Sequence, residues 1–340
     1  MNNTVTSNKM RAAIYYKYGS PDVIGIAEVE KPALTDGEVL VKIKAASVGA
    51  YDCHLLRAKP FFTRALSGLF TPTNKILGAD IAGIIAAVGN GASKYKVGDE
   101  VFGCLESCGK GGLAAGGFAE YVCAKESVLA PKSAALSFEE AAALPMAAVT
   151  AMQGVSNAQV KQGDSVLING ASGGVGTFAV QIAKAFGTEV TGVCSTGSIE
   201  FVRSLGADVV IDYKKEAVVT DDKQYDVVID VAANLSLMEY RRALKKNGRC
   251  VVIGFSTLGH TISYSFAGKR DGKSINLSIT NNKNGDDLLE INKLIETGKL
   301  RVIIDSRYSL DETAEALRRT ETGHLKGKVV IAISADENTA

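Results

Sequence analysis

A glycine-rich segment in the middle of the chain has the residue types that a diphosphate site needs. It runs from Asn169 to Gly176 and joins a predicted strand, 165–169, to a predicted helix, 175–186. Small residues let the chain turn sharply there, so that backbone N–H groups point at an anion whose charge the helix dipole favours. Because strands and helices alternate after it, the segment predicts a dinucleotide site rather than a flexible turn.

The segment after the next predicted strand, residues 194–198, bears on which dinucleotide would bind. NAD sites place a carboxylate about 20 residues after the glycine turn, where it binds the ribose 2′-hydroxyl. Here the sequence is Cys-Ser-Thr-Gly-Ser, which offers hydroxyls and backbone N–H groups but no acid to repel a 2′-phosphate. The segment therefore predicts NADPH. The cation of such a site is left open among Arg203, Lys214 and Lys215, which could equally be solvated surface.

A second group of chemically capable residues lies at 49–54, with the sequence Gly-Ala-Tyr-Asp-Cys-His. Histidine has a pKa suited to proton transfer near neutral pH, so His54 is a candidate proton donor and Tyr51 a second one. The alternative for His54 is a structural hydrogen bond. Phe61-Phe62 and residues 66–70 follow, and they suit either an apolar wall for a flat acceptor or ordinary core.

The elements around these residues change character along the chain. The first third has short apolar runs punctuated by Gly, Pro and Asp, which is typical of a compact, β-rich, barrel-like domain. From Ser137-Phe-Glu-Glu140, which has the pattern of a capping box, strands and helices alternate. This alternation indicates an α/β fold with a doubly wound parallel sheet. Its six predicted strands are residues 165–169, 189–194, 209–212, 227–230, 250–254 and 275–279.

The composition excludes several classes of function. The 340 residues carry 38 Lys and Arg against 37 Asp and Glu, which leaves no electrostatic footprint for nucleic acid. No apolar stretch approaches the roughly 18 residues of a membrane span, and residues 1–9 lack the features of a signal or transit peptide. The six cysteines show no disulfide framework. We therefore expect a cytoplasmic protein with reduced thiols, a small-molecule substrate, and no nucleic-acid or membrane partner.

Several motifs together resemble those of one known family. Gly163-Asp164-Ser165-Val166-Leu167 and the glycine segment carry the strongest likeness, which continues at residues 77–83, 97–103, 117–121, 205–213 and 323–329. They resemble the zinc-independent quinone oxidoreductase and zeta-crystallin family of the medium-chain dehydrogenase/reductase superfamily. The resemblance implies a GroES-like β-rich catalytic domain of residues 1–132 and 300–340. A Rossmann NADPH-binding domain of residues 133–299, with a doubly wound parallel six-stranded sheet, would be inserted between them.

The resemblance also implies roles for individual residues. Thr150 would contact the nicotinamide half of the coenzyme, and Ala232 would pass near the adenine ribose. Gly173, Gly174 and Val175 would contact the diphosphate, and Ser195, Thr196 and Tyr213 the 2′-phosphate. Ile253, Gly254 and Phe255 would line the nicotinamide-side wall. Because family members commonly dimerise through edge strands of this sheet, here 275–279, we expect a homodimer.

Related zinc alcohol dehydrogenases bind a catalytic metal for which this sequence lacks ligands. Their cysteine ligand stands three residues before an aspartate, where this chain has Gly49 before Asp52. Their Gly-His-Glu motif reads Gly78-Ala79-Asp80 here. Cys53 and His54 are adjacent, and on an extended segment their side chains would point to opposite faces. The sequence therefore predicts no metal.

The lack of a metal favours particular hydride acceptors. Alcohol oxidation is hard without a Lewis acid, whereas a conjugated acceptor has a carbon already activated by its carbonyl. The sequence therefore predicts a reductase that transfers hydride from NADPH to a quinone or a small enone or alkenal. The family usually has Asn-Pro where this chain has Gly49-Ala50. Two alternatives stay open: an enoyl-thioester reductase, or an NADPH-binding protein with little turnover.

Overall fold

Two large β-sheets organise the molecule, one built from the ends of the chain and one from its middle. The computed structural model describes residues 8–59, 64, 67–105, 116–253, 268–278 and 285–334. Its strands, in chain order, are β1 (Lys9–Ile14), β2 (Gly25–Glu30), β3 (Glu38–Val48), β4 (Asp80–Val88), β5 (Glu100–Cys104), β6 (Tyr121–Lys125), β7 (Leu129–Pro131), β8 (Ser165–Asn169), β9 (Glu189–Cys194), β10 (Val209–Asp212), β11 (Tyr225–Asp230), β12 (Leu244–Ile253), β13 (Lys269–Arg270), β14 (Lys273–Ser278), β15 (Ile304–Ser309) and β16 (Lys328–Ala332).

The helices lie mainly between the strands of the middle of the chain. In chain order they are α1 (Ala50–Arg57), α2 (Phe138–Ala142), α3 (Pro145–Asn157), α4 (Gly174–Ala185), α5 (Ile199–Ser204), α6 (Leu237–Ala243), α7 (Asp286–Glu296) and α8 (Thr313–Glu321). The predicted capping box begins α2, because the Ser137 hydroxyl accepts from Glu140 N–H and the Glu140 carboxylate accepts from Ser137 N–H. No helix among the described residues combines the length and hydropathy that crossing a bilayer requires.

The middle sheet has the strand order β10-β9-β8-β11-β12-β14-β13. The first six of these strands are parallel, as the alternating pattern predicted. Their interior positions are apolar and buried, since helices cover both faces of the sheet. The two residues of β13 pair antiparallel with β14 and form the edge of the sheet. The prediction that β14 is the edge strand is therefore wrong. Residue 279, the predicted end of that strand, lies outside the described residues.

The other sheet joins the two ends of the chain. Its order is β15-β16-β3-β4-β5-β7, with β6 also paired to β3, and β1 and β2 form a separate ribbon. β16 pairs antiparallel with β3, so residues from the last part of the chain complete the N-terminal sheet. β15, which begins at Ile304, pairs parallel with β16 at the edge of this sheet. The division of the chain at 132/133 and 299/300 stays our proposal for the domain boundaries.

One buried apolar cluster connects the two sheets. Phe102 and Ala130 of the terminal sheet belong to the same cluster as Val166 and Ile168 of the middle sheet. α3 and α4 contribute Val149 and Phe178 to this cluster, and Leu144, the N-cap residue of α3, also belongs to it. Burial of this apolar area stabilises the fold by roughly 25 cal/mol per Å². It also fixes the N-terminus of α4 against the terminal sheet.

Candidate functional site

The glycine segment forms a tight turn between β8 and α4. Gly170 has φ = +85°, a conformation that side-chain-bearing residues rarely adopt. A Cβ on Gly176 would lie 2.0 Å from the Gly170 carbonyl oxygen, so only glycine lets the helix begin this close to the turn. Ala171 N–H donates to the Val193 carbonyl at 2.9 Å, which ties the turn to β9. The structure thus brings together the glycines that the sequence singled out.

The space above the turn suits an anion. A Cβ on Gly173, the N-cap residue of α4, would approach only the Gly170 carbonyl oxygen, at 3.7 Å. The first turn of α4 carries no acidic residue. The Lys328 side chain packs against Gly174, because a Cβ on Gly174 would lie 3.0 Å from Cδ of Lys328. A bare backbone at the start of a helix dipole is the cradle that a diphosphate fits, and Val175 follows within the same turn.

The next strand end lies directly against this turn. Ala232 N is 3.3 Å from where a Cβ of Gly170 would stand, so the structure places Ala232 beside the glycine turn. Beneath them, Asp230 accepts hydrogen bonds from Asn169 Nδ2 at 3.0 Å and from the Tyr240 hydroxyl at 2.8 Å. Burial raises the pKa of Asp230. Sequence reasoning missed this network, although its signal was present as a polar residue ending each of two apolar strands.

The three residues predicted around a 2′-phosphate are brought together at the ends of β9 and β10. Tyr213 N–H donates to the Cys194 carbonyl at 3.2 Å, which places Tyr213 beside Ser195. Residues 194–198 contain no acid, but Asp212 accepts the Thr196 hydroxyl at 2.6 Å, so the pocket has a carboxylate that the sequence analysis did not predict. Sequence reasoning looked only along the loop, whereas this acid arrives from the neighbouring strand, where it pairs in register with Cys194.

The cations proposed for this pocket divide into two kinds. Arg203 forms an ion pair with Glu200 one turn earlier on the same short helix, at 2.6 Å. Lys215 Nζ lies 3.9 Å from a carboxylate oxygen of Asp212, and its side chain is exposed. Lys214 N–H donates to the other oxygen of Asp212 at 3.1 Å. Lys214 and Lys215 therefore lie beside Asp212, Lys215 as its ion-pair partner, while Arg203 is paired with a residue of its own helix.

Thr150 and Ile253 are both buried on the side predicted to hold the nicotinamide. Thr150 lies on α3, one turn before Gly154. A Cβ on Gly154 would lie 2.5 Å from Cδ1 of Ile253, so the end of β12 packs against this face of α3. The other two residues predicted for that wall, Gly254 and Phe255, lie outside the described residues.

A buried cluster of charges adjoins the glycine turn. Lys328 Nζ lies 3.7 Å from Asp80 Oδ2, and their side chains are only 6% and 4% exposed. A Cβ on Gly49 would lie 3.9 Å from both Lys328 Nζ and Asp52 Oδ2, which places Asp52 in the same cluster. The Lys328 stem contacts Gly174, so the cluster lies directly beside the predicted diphosphate cradle. Sequence reasoning noted these three residues separately but did not connect them.

Backbone hydrogen bonds hold the two carboxylates of this cluster. Asp52 accepts from Gly49 N–H at 2.9 Å and from Gly78 N–H at 3.0 Å. Asp80 accepts from Met146 N–H at 3.0 Å, at the start of α3. Desolvation by burial raises the pKa of Asp52 to about 6 and also raises that of Asp80, despite these hydrogen bonds. A charged residue within an apolar run, such as Asp80 in Gly78–Gly83, was the sequence signal for such pairing.

The candidate proton donors lie on α1 rather than on an extended segment. Residues 50–57 are helical, so the extended geometry assumed for Cys53 and His54 is wrong. At roughly 100° per residue, His54 points about 200° away from Asp52 and lies next to Tyr51 on the helix surface. His54 is exposed and Tyr51 is half-buried. The surrounding protein lowers the pKa of His54, because partial desolvation disfavours the charged ring.

Part of the predicted apolar wall is exposed. Leu69 and Phe70 are 54% and 85% exposed, so ordinary core is the wrong reading for these two residues. Residues 60–63, 65 and 66, which include Phe61 and Phe62, lie outside the described residues. No group of three His, Cys, Asp or Glu side chains in the described part of the chain is arranged to hold a metal ion.

Comparisons with known proteins agree with this architecture. Residues 35–134 match the family model of the alcohol dehydrogenase GroES-like domain, and residues 205–331 match the zinc-binding dehydrogenase model. The 2-methylene-furan-3-one reductase of Solanum lycopersicum is 36% identical, over 95% of this chain and 79% of its own length. The NADPH-dependent alkenal/one oxidoreductase of Arabidopsis thaliana is 31% identical over the same shares. The structure of a quinone oxidoreductase from Coxiella burnetii superposes with a TM-score of 0.86, at 30% identity over 96% of this chain and 100% of that one.

Proposed function

The chain belongs to the quinone oxidoreductase family of the medium-chain dehydrogenase/reductase superfamily, and on that premise we propose a zinc-free reductase that transfers hydride from NADPH to a quinone or small α,β-unsaturated carbonyl. The single observation that carries the proposal is the bare glycine turn at the start of α4. It supports a dinucleotide because backbone N–H groups and a helix dipole converge on an open space there. Relatives named as quinone and alkenal/one oxidoreductases support the acceptor class.

The residues proposed to hold the coenzyme surround that turn. Gly173, Gly174 and Val175 would bind the diphosphate through the first turn of α4. The residues proposed to contact the adenosine end are Ala232, Ser195, Thr196 and Tyr213. Those proposed to contact the nicotinamide end are Thr150, Ile253, Gly254 and Phe255. NADPH supplies a hydride from its nicotinamide ring, and the protein supplies orientation and exclusion of water. The preference for NADPH is supported by Lys214 and Lys215, which lie at the end of β10.

The absence of a metal is proposed from the donor set. The two positions that carry ligands in zinc alcohol dehydrogenases are Gly49 and Ala79 here, and neither has a side chain that binds zinc. Lys328 lies beside Gly49 and balances the charge of Asp80. A conjugated acceptor needs less polarisation than an alcohol does, which suits a site without a Lewis acid.

A panel of acceptors tests this proposal. Purified protein with NADPH would be mixed, in separate assays, with a naphthoquinone, an enone, an alkenal and an enoyl-CoA, while coenzyme absorbance is followed. A further assay would mix the protein with NADP⁺ and a simple alcohol. We expect turnover with the quinone, enone or alkenal, and the same rate after exhaustive dialysis against a chelator. Turnover with the enoyl-CoA alone would favour a thioester reductase, and turnover with none would favour a binding protein. Zinc at one equivalent per chain would contradict the metal-free site.

The proton donor is proposed to be His54 or Tyr51. Because desolvation lowers the pKa of His54, its protonated form is scarce at neutral pH, so a reaction that needs it should slow as pH rises toward neutrality. His54→Phe would then lower turnover about 100-fold and remove that pH dependence, since a positioned acid contributes roughly 10²–10⁴ in rate. If Tyr51→Phe lowers turnover by the same factor and leaves the pH dependence unchanged, Tyr51 is the proton donor. Unchanged turnover in both variants removes both residues, provided that coenzyme affinity is unaffected.

Assembly and location complete the proposal. We propose a homodimer formed through the β12–β14 side of the middle sheet, where β13 covers only Lys273 and Ser274 of β14. Sedimentation at several protein concentrations would report the mass. The cytoplasmic location stays a proposal, and relatives include chloroplastic and mitochondrial proteins.

A further inference from the structure

Asp212 is a buried acid placed under the rim of the pocket proposed for the 2′-phosphate. It ends β10, opposite Cys194 of β9 in the parallel register, and only 4% of its surface is exposed. Thr196, which is exposed, lies in the turn that follows β9. The Thr196 hydroxyl donates to Asp212 Oδ2 at 2.6 Å. A carboxylate thus contacts one of the three residues proposed to surround the 2′-phosphate, the group by which NADPH differs from NADH.

The hydrogen bond decides what Thr196 offers to a ligand. A threonine hydroxyl has one proton and two lone pairs. With its proton directed at Asp212, Thr196 Oγ1 faces the pocket as an acceptor. An acceptor suits a ribose 2′-hydroxyl, which can donate, and opposes a 2′-phosphate, which at neutral pH mainly accepts. For Thr196 to donate to a phosphate, its proton must leave Asp212.

The charges around Asp212 keep it ionised. Its other oxygen accepts Lys214 N–H at 3.1 Å, and Lys215 Nζ lies 3.9 Å from Oδ2. The hydrogen bond from Thr196 and these neighbours lower the pKa of Asp212. The pocket therefore contains two lysines that attract a phosphate dianion and one fixed negative charge that repels it.

We propose that the Thr196–Asp212 pair is a specificity determinant, which lets the pocket accept NADH and limits the preference for NADPH. The inference rests on the proposed function, because it takes the glycine turn to be the coenzyme site. NADH would donate its 2′-hydroxyl to Thr196 while the bond to Asp212 stays intact. NADPH would bind through Lys214 and Lys215, against the charge of Asp212. The carboxylate that NAD sites use is thus supplied by the third strand of the fold instead of the second.

Two variants test the pair from opposite sides. Asp212→Asn keeps the shape, and its amide can accept from Lys214 N–H through oxygen and donate to Thr196 through nitrogen. The threonine proton is then free for the phosphate. We expect the ratio of NADPH to NADH affinity to rise about tenfold, the size of one hydrogen bond to a charged group. Thr196→Val removes the acceptor, so NADH affinity should fall about threefold to tenfold with NADPH affinity nearly unchanged.

Dissociation constants for both coenzymes would be measured by the increase in coenzyme fluorescence and by calorimetry. The chain has no tryptophan, so the protein adds little emission of its own. Glu216→Gln is the matched control, since Glu216 Oε1 accepts Asp212 N–H at 3.4 Å but carries a charge that does not contact Thr196. Its affinity ratio should stay within about twofold of the parent protein, as expected for an exposed charge.

Several results would overturn the inference. They are an unchanged or lower ratio in Asp212→Asn, an equal rise in Glu216→Gln, or loss of NADPH affinity alone in Thr196→Val. The last result would mean that Thr196 donates to the phosphate after all. These outcomes leave the proposed function standing, provided that the parent protein binds a coenzyme. If the parent protein binds neither coenzyme, the proposed function fails and the inference falls with it.

Discussion

The two halves of the proposed site are built in opposite ways. The coenzyme half, residues 169–176 with 194–196 and 212–213, consists of a glycine turn and the ends of two neighbouring strands from one stretch of the chain. The acceptor half, residues 49–54 with Asp80 and Lys328, consists of charges brought together from positions almost 280 residues apart. Local geometry creates the glycine turn of the first half, and pairing of β9 with β10 adds its strand ends, whereas the second half exists only when both ends of the chain share one sheet.

Two aspartates show what this difference does to chemistry. Asp212 ends β10, the edge strand of the middle sheet, where hydrogen bonds and lysines lower its pKa. Asp52 lies in the acceptor half, where burial raises its pKa to about 6 although two N–H groups donate to it. The same side chain thus ionises readily in one half, whereas in the other it retains its proton up to about pH 6. We therefore expect the coenzyme half to govern binding and the acceptor half to govern stability and its pH dependence.

The largest effect is expected from Lys328→Met. Methionine keeps most of the stem that packs on Gly174 but removes the buried ammonium beside Asp80. Removing one partner of a buried ion pair leaves an uncompensated charge and costs about 3–5 kcal/mol. The free energy of unfolding, measured in urea at pH 8, should fall by that amount. At pH 5 the loss should be smaller, because the carboxylates can then retain protons.

The double variant Lys328→Met with Asp80→Asn is the control for charge. Removing the second charge should recover a large part of the lost stability, since no unpaired ion remains at that position. If the single variant loses less than about 1 kcal/mol, the value of an exposed pair, Lys328 and Asp80 do not form the buried ion pair described above. If the double variant is no more stable than the single one, packing of the stem and not charge is responsible.

The next effect separates two glycines of the coenzyme half. A Cβ on Gly176 would lie 2.0 Å from the Gly170 carbonyl oxygen, so Gly176→Ala must push α4 away from the turn. Overpacking of this kind costs about 1–3 kcal/mol. Gly173→Ala should leave the melting temperature nearly unchanged, because its nearest contact would be 3.7 Å. It should nevertheless weaken coenzyme binding about tenfold, since its methyl group would stand in the diphosphate cradle.

These two variants would be compared by thermal melting and by coenzyme titration. Equal melting temperatures for both variants would mean that α4 tolerates movement at the turn. Unchanged coenzyme affinity in Gly173→Ala would mean that the diphosphate lies elsewhere. Either result would remove the contrast drawn between a half that binds through its backbone and a half that is held by charge.

The contrast also explains how far the sequence could predict the molecule. The six parallel strands and the start of α4 are local patterns, and three strands have the predicted bounds, Ser165–Asn169, Glu189–Cys194 and Val209–Asp212. The helix α1 was not predicted, because Asp52 and His54 interrupt its apolar pattern. Contacts made across strands could not be predicted either. Asp212 reaches Thr196 from the neighbouring strand, and Lys328 reaches Asp80 from the other end of the chain.

The smallest effect is expected from Asp52→Asn and appears only as a change with pH. Folding raises the pKa of Asp52 from 3.8 to about 6, so between these values the native protein holds a proton that the unfolded chain has lost. Stability therefore falls as pH rises through this range. With about 1.4 kcal/mol per pKa unit, this residue should remove about 1 kcal/mol of stability between pH 5 and 7. Asp52→Asn should abolish that part of the slope.

The slope would be measured by urea unfolding at pH 5, 6 and 7. Part of it should remain in Asp52→Asn, because Asp80 has a raised pKa for the same reason, while Lys328 opposes both shifts. Asp212→Asn is the matched control, since the lowered pKa of Asp212 keeps it charged in both states across this range. A slope in Asp52→Asn equal to that of the parent protein would show that Asp52 is already charged at pH 5. Asp52 in the acceptor half would then be charged throughout this pH range, as Asp212 is in the coenzyme half.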